Sequence, residues 1–344
     1  MDLTSAKKAI PFGILIIAVI LVGILGYFIW NNTIRYSNLP KISAKDLGIT
    51  EDSKLRKVNP QVYYTGAEAN PQNAAQVYVN KNNPVAKLNE EEAKGMAASF
   101  GFSGTGKKLG DLMIWQDPTK SFIANIPGQT ISFSADSLLP ELVGKDSLPN
   151  KEEAAVQTKE ILGKLGIPQS VIDFSGAAVS YSNLSATEAS LKSNSKVRVA
   201  IFDYHFKVSN SLIYGEKGNQ LDFKIQLAKG SKLAGFSTSW HQFSWEKPET
   251  YPLKSIDESV KEIAAGAGVI TQLTTLQTAS LTQKNKNISV INLSDFKLGY
   301  LPVISQQTYL LPIHIFTGKA VLKSGEVDNI TIYNSALPKR FIAN

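Results

Sequence analysis

Cysteine is absent from all 344 residues, and histidine occurs three times, at His205, His241 and His314. The first absence removes disulfides, thiol nucleophiles, iron–sulfur clusters and cysteine zinc sites together. An exported domain made from this chain has to be held by its core, which fits a bacterial exported protein better than a small secreted eukaryotic one. The histidines lack metal-ligand spacing, and H-E-x-x-H is missing. So are the nucleophile elbow G-x-S-x-G and the aspartic-protease D-[ST]-G; Asp173-Phe-Ser-Gly is not that motif. A Ser-His-Asp triad needs no local spacing, so sequence leaves one open without supporting it. Like charges never run five in a row, and 36 basic against 29 acidic residues leave +7 spread along the chain. Nucleic acid is therefore not an expected partner. No cofactor is expected either.

Two stretches approach catalytic motifs. Gly101-Phe-Ser-Gly-Thr-Gly106-Lys107-Lys108 matches G-x-x-x-x-G-K, but Lys108 stands where a magnesium-binding hydroxyl belongs. It also follows a predicted helix, where a phosphate loop follows a strand, so it reads as a glycine-rich helix exit. Ser294-Asp-Phe-Lys297 and Lys323-Ser324-Gly325 imitate the serine and lysine motifs of penicillin-binding enzymes. Fewer than thirty residues separate them and Ser294 sits among strand signals, so the second reads as a hairpin turn.

What the chain does have is a long uncharged run, Ile10 to Trp30, reading IPFGILIIAVILVGILGYFIW. A helix of roughly 20 residues crosses a ~30 Å hydrocarbon core. Tyr27 and Trp30 stand where an interfacial belt belongs, and Lys7 and Lys8 favour a cytoplasmic N-terminus. A cleaved signal peptide has a shorter apolar region of about 7–15 residues and a small-x-small site. This run instead ends in bulky residues. The expectation is a single-pass span over 10–30, with 1–9 as a cytoplasmic tail and the rest outside the cytoplasm.

Hydrophobic residues make up 43% of the chain and charged ones 19%, values of a folded protein. Residues 31–88 read as a stalk punctuated by Pro40, Pro60, Pro71 and Pro84, with Val62-Tyr63-Tyr64 and Val77-Tyr78-Val79 as edge-strand pieces. One pattern then recurs. Asn89 with Glu92, Asn150 with Glu153, and Ser255 with Glu258 are capping-box pairs, and each helical stretch runs to a glycine: Gly101, Gly166, then Gly266 and Gly268. In the second helix Ala155, Thr158, Ile161, Leu162 and Leu165 share a face. Strand signals follow each helix; Leu221, Phe223, Ile225 and Leu227 alternate with Asp222, Lys224 and Gln226, a strand with one wet face. The expected fold is α+β: an N-terminal transmembrane helix, then repeated modules of one helix packed on an antiparallel sheet. The module boundaries read 89–136, 137–250 and 251–344.

Candidate functional residues are few. Asp203 and His205 lie two apart on one strand and share a face, so a carboxylate–imidazole pair is available. Val197, Val199 and Ile201 on that face favour a structural histidine. Trp240, His241 and Trp245, with Phe243, form the most suggestive partner or ligand surface, because tryptophan is enriched at binding hot spots. Aromatics at a strand end also plug gaps under a following helix.

Tyr251-Pro-Leu-Lys-Ser255-x-x-Glu258 opens the last helix, and Tyr309-Leu-x-Pro312-x-x-x-Phe316-x-Gly318 precedes a strand ending Tyr333-Asn-Ser-Ala336. With one N-terminal span, this resembles the YycH/YycI family of anchored regulators and, more loosely, PepSY-type modules, mainly over 150–340. The resemblance implies a membrane regulator that binds a sensor kinase or restrains an envelope enzyme, and brings no catalytic residues with it. The expected function is a non-enzymatic extracytoplasmic interaction or regulatory protein whose partners are the bilayer and another envelope or membrane protein. A cell-envelope hydrolase or a wall- or ligand-binding module is the alternative.

Overall fold

The structure, a computed structural model, describes residues 19–27, 36, 39–42, 60–66, 72–80, 88–135, 148–184, 197–215, 221–239, 246–274, 287–304 and 308–342. It is a mixed α+β fold, mostly strand, with two sheets.

Three helices follow the N-terminal helical residues 19–27: α1 (Glu90–Ser99), α2 (Lys151–Leu165) and α3 (Ile256–Ala264). Local chemistry fixes their ends. Asn89 and Asn150 each accept the N–H of the glutamate three residues on, and that glutamate returns a bond to the cap backbone. The third cap forms the serine half, Glu258 N–H to Ser255 Oγ at 3.1 Å. All three helices end alike, with Gly101, Gly166 and Gly266 at positive φ. Phe102, Ile167 and Ala267 reach back five residues to the carbonyls of Ala97, Leu162 and Glu262, the Schellman pattern that satisfies orphan carbonyls. The buried face of α2 begins at Ala154, one residue before the predicted Ala155.

The nine-stranded sheet is two four-strand meanders laid edge to edge. The first is β3 (Lys107–Leu109), β4 (Leu112–Gln116), β5 (Lys120–Asn125) and β6 (Thr130–Ala135). The second runs β7 (Ile172–Leu184), β8 (Val197–Val208), β10 (Asp222–Leu227) and β11 (Leu233–Ser239), with the short β9 (Ser211–Leu212) on β8. Antiparallel pairing of β6 with β11 joins them, Phe133 opposite Phe236. Phe236 stacks with Phe133 at 5.7 Å and with Phe223 at 5.9 Å, so one aromatic row crosses the seam. Such pairs add about 0.5–1.5 kcal/mol each beyond their burial. The buried residues of α1 and α2 join the core that contains Phe122, Phe202, Phe206 and Phe236. The opposite face carries the polar residues of the alternation, including Asp203 and Lys224.

The second sheet has seven strands. Its path is β1 (Gln61–Tyr64), β14 (Ile288–Ile304), β15 (Thr308–Leu322), β16 (Val327–Ser335) and β13 (Val269–Thr274). β2 (Ala74–Asn80) pairs with β15, and β12 (Glu246–Pro252) with β2. β15 changes neighbour along its length: Thr308–Leu310 pair with β2, and Ile313–Val321 with β16. Pro312, which has no N–H to donate, sits at that handover and accepts Ala336 N–H at 3.1 Å. Ile256 and Ile263 of α3 join Phe316, Ile330 and Ile332 on one face, while Tyr251, Leu311, Ile313 and Tyr333 build a separate core.

Several expectations differ from this. The segment read as a stalk contributes β1 and β2, and β2 is flanked on both sides although it read as an edge strand. Its partners lie more than 150 residues away, which local turn signals cannot reveal. β15 runs unbroken through Gly318. β12 belongs with the last sheet, although its residues 246–250 fell within the second predicted unit. The two sheets meet where Tyr214 N–H donates to Tyr300 O at 2.8 Å and the Tyr78 and Ser209 hydroxyls share a hydrogen bond at 2.9 Å.

Candidate functional site

Asp203 and His205 both lie on the wet face of β8, but they are not a pair. Asp203 forms an ion pair with Lys224 across the strand at 3.3 Å, and Lys224 also holds Asp222 at 3.2 Å. Burial works against the lysine charge, and the two carboxylates outweigh it, so its pKa sits above the ordinary value. His205 stands between Asp173 on β7 and Asp222 on β10 in the register. Asp173 is engaged elsewhere: Ser175 donates to it at 2.7 Å and Lys207 lies at 3.4 Å. The serine bond, against some desolvation and with Lys207 helping, holds its carboxyl below the usual range. Among the described residues His205 Nδ1 has no hydrogen-bond partner. The group is a lattice of alternating charges on a sheet face. Trp240, His241 and Trp245 lie outside the described residues.

A denser cluster, which sequence reasoning missed, lies between α3 and the seven-stranded sheet. Lys254, just before the helix, donates to Asn334 at 2.8 Å and to Glu262, with 1% of its side chain exposed. Ser259 and His314 share a 2.6 Å hydrogen bond at Nδ1, and both are buried. His314 faces Asn334 across β15 and β16, and its ring meets Phe296 edge-on at 5.0 Å. Burial, with the Lys254 charge beside it, pushes the His314 pKa down to about 3, so the imidazole is neutral. Burial also lowers Lys254, while Glu262 opposes that shift. The sequence signal was Ser259 on the same face as Ile256 and Ile263, a polar residue inside an apolar stripe. A serine beside a neutral histidine is the beginning of a nucleophile–base arrangement. Here both groups are sealed under a helix, where they make a satisfied polar tie between α3 and the sheet.

The glycine-rich stretch after α1 borders a cleft of about 370 Å³, lined by Gly101, Phe102, Ser103, Gly106 and Lys107 on one side and Ile114–Asp117 on the other. Trp115 forms an inner wall and donates its indole N–H to Gly104 O at 3.3 Å. Lys120 closes the exit of α1, donating to Phe100 O at 2.5 Å with its ammonium 4.8 Å from the Phe102 ring. Ser294 lies on β14, with Lys297 3.9 Å from Asp295, and residues 323–325 form the turn into β16. Among the described residues no group of three or more His, Asp or Glu side chains could hold a metal ion.

At the N-terminal end, Val19, Leu21, Val22, Leu25 and Tyr27 are each at least 60% exposed on their helix. Among the described residues no helix is long and apolar enough to cross a membrane; the remainder of 10–30 lies outside them. Downstream, Tyr36 and Ile42 are buried in the core that holds Tyr251 and Phe341. Ile42 N–H donates to Phe341 O at 2.7 Å, Ile42 pairs in parallel with Ile342, and Tyr251 OH donates to Pro40 O at 3.0 Å.

No protein-family profile matches the chain, and no curated protein does. Among solved structures, an uncharacterized protein from Eubacterium rectale ATCC 33656 is similar to it at 12% identity and a TM-score of 0.44, over 81% of this chain and 90% of that one.

Proposed function

We propose that this chain is a single-pass, membrane-anchored extracytoplasmic interaction or regulatory protein that does not act as an enzyme. Its N-terminus would be cytoplasmic and its two sheets outside. The observation that carries the reading is the pairing of an exposed apolar helix at 19–27 with a clasp at 36–42. Exposed apolar area costs about 25 cal/mol per Å² in water, and a contiguous patch of it marks a membrane or protein contact. Nine residue steps after Tyr27, the chain is built into the core beside its own C-terminus. A domain held this way transmits position between bilayer and sheets, which suits a regulator of a membrane sensor or an envelope enzyme. The YycH/YycI resemblance points to the same class of partner.

The buried Ser259–His314 pair and the charge lattice around Asp203 and His205 fit structural roles, which favours regulation over hydrolysis. The cleft beside Trp115 supports a second reading, a wall- or ligand-binding module, since small-molecule sites are concave with a few polar groups. Alkaline carbonate extraction tests the anchor: the protein should stay with the membrane and retain residues near Met1. A soluble mature form beginning near Asn31 overturns it. In vivo crosslinking from introduced single cysteines should capture a membrane or envelope protein. A substrate turned over by the purified full chain would displace the regulatory reading.

A further inference from the structure

We infer that Lys254 and Asn334 join through a side-chain amide bond, formed in the folded chain with loss of ammonia and with Glu262 carrying the protons. The inference goes beyond the regulatory reading and stands whether or not the chain is anchored.

The reactants are already assembled. Lys254 Nζ donates to Asn334 Oδ1 at 2.8 Å and to Glu262, and the lysine side chain and Asn334 are each 1% exposed. A carbonyl bond of about 1.23 Å puts the Asn334 Cγ within roughly 4 Å of that nitrogen, and rotation of the amide closes the gap to the ~3–3.5 Å of a near-attack contact. The backbone holds the same pair: Lys254 N–H donates to Ala336 O at 2.9 Å, which fixes the entry of α3 beside the end of β16. Ser259 and His314, the other buried polar groups here, are spent on each other at 2.6 Å. The charged groups that act on the amine are Glu262, Glu258 and Lys339. The second oxygen of Glu262, Oε1, lies 3.8 Å from the Lys339 ammonium, which is 79% exposed, so the carboxyl has a route for protons to solvent.

Before reaction the triad is the ion pair described above. Burial disfavours the ammonium and lowers the Lys254 pKa against the pull of the two glutamates. Passing one proton to the Glu262 carboxylate leaves a neutral amine and a neutral acid. The amine lone pair attacks Asn334 Cγ and forms the new C–N bond, while the carbonyl electrons move to Oδ1. When they return, the Cγ–Nδ2 bond breaks, and Nδ2 leaves as ammonia with a proton that Nζ sheds through Glu262. One ammonium and one primary amide thus become one secondary amide and ammonia, and the spare proton stays on Glu262. The product is a covalent staple across 80 residues of sequence, in a chain with no cysteine to make a disulfide. It closes a loop that contains α3, β13, β14 and β15.

The test is the intact mass of the purified full chain in detergent, incubated at neutral pH after a cooperative urea melt has shown that it is folded. The chain should be lighter than its sequence requires by one ammonia, and fragmentation should find residues 254 and 334 in one branched peptide. Lys254→Met should restore the full mass; an asparagine cyclised on its own backbone also sheds ammonia but would ignore that change. Asn334→Asp should lose water in place of ammonia and still give the branched peptide. Glu262→Gln keeps the shape of the side chain without its proton transfer, and should slow branching by roughly 10²–10⁴-fold. Folded parent at its full sequence mass overturns the inference. So does ammonia loss without the branched peptide, or branching at the parental rate in Glu262→Gln. The deciding measurement is made on the parent, so no variant has to fold for it, and none of its outcomes bears on the anchor.

Discussion

His314 carries its own acid limb of stability. Its pKa is about 3 in the folded protein against an ordinary value near 6.5, with burial the larger cause and Lys254 the second. The unfolded chain therefore binds a proton between those values that the folded chain refuses. Stability is fully present above pH 6.5 and falls as pH drops toward 3, by up to about 1.4 kcal/mol per unit. Urea melts of the full chain in detergent at pH 7 and pH 5 should differ, and His314→Gln should flatten that difference. A slope unchanged in the variant assigns it to other groups. Lys254 gives a sharper expectation. Glu262→Ala strands a buried ammonium and should cost about 3–5 kcal/mol, while Lys254→Met with Glu262→Leu should recover most of the loss. A double variant as unstable as the single one sinks the ion-pair account. Beyond Ser259 inside an apolar helix stripe, this network was not legible in the sequence, because Lys254, His314 and Asn334 come from three elements and Asn334 is 80 residues from Lys254. Asp203 and His205 were readable as neighbours on a face, but their partners, Lys224 and Asp173, are set by register.

Elements whose signals are local were the readable ones. Asn150 and Gly166 bracket α2 with bonds to groups a few residues away, so composition and spacing suffice to place it. Asn150→Ala should cost about 0.5–2 kcal/mol by freeing the Glu153 N–H at the helix start. A thermal midpoint equal to the parent's would mean the cap is not used. β1 and β2 read as strand pieces, but their pairing was obscure, as was β12, for the converse reason: Gln61 finds its register against Val290, and Glu246 against Val79. Gly318 shows how pairing dictates residue type inside a strand. β14 shifts register between Leu293 and Asp295, opposite Gly318, and brings Asn292 O to 2.1 Å from where a Cβ on Gly318 would sit. Gly318→Ala should lower the midpoint far more than the neighbouring exchange Thr317→Ala. Equal, small effects would show that the strands can part locally.

At the scale of the whole molecule, Tyr36 and Ile42 clasp the C-terminal turn and close the fold on itself, and on the proposed anchored reading that clasp would mount the domain on its membrane tether. The uncharged apolar run at 10–30 stands out in the sequence, but the residues after it read as a stalk, because Tyr36 and Ile42 are isolated apolar residues among polar ones and their burial depends on Tyr251 and Phe341. If the clasp is one cooperative unit, its two sides must lose stability together. Ile42 is 2% and Phe341 5% exposed. Ile42→Ala should therefore cost about 2–5 kcal/mol and Phe341→Ala about 3–5, mostly as faster local opening. The readout is native-state hydrogen exchange of the full chain in lipid discs, following the Ile42 amide, which donates to Phe341 O at 2.7 Å. Each single variant should expose that amide, and amides of the nine-stranded sheet should keep their protection. The double variant discriminates further. Residues in contact couple by about 0.5–3 kcal/mol, so removing both should cost clearly less than the sum. Strict additivity, or protection of the Ile42 amide in either single variant, would mean that the two ends pack independently. The domain would then hang from its span on a loose strand, and a mount able to pass a signal between bilayer and sheets would be lost from the functional account.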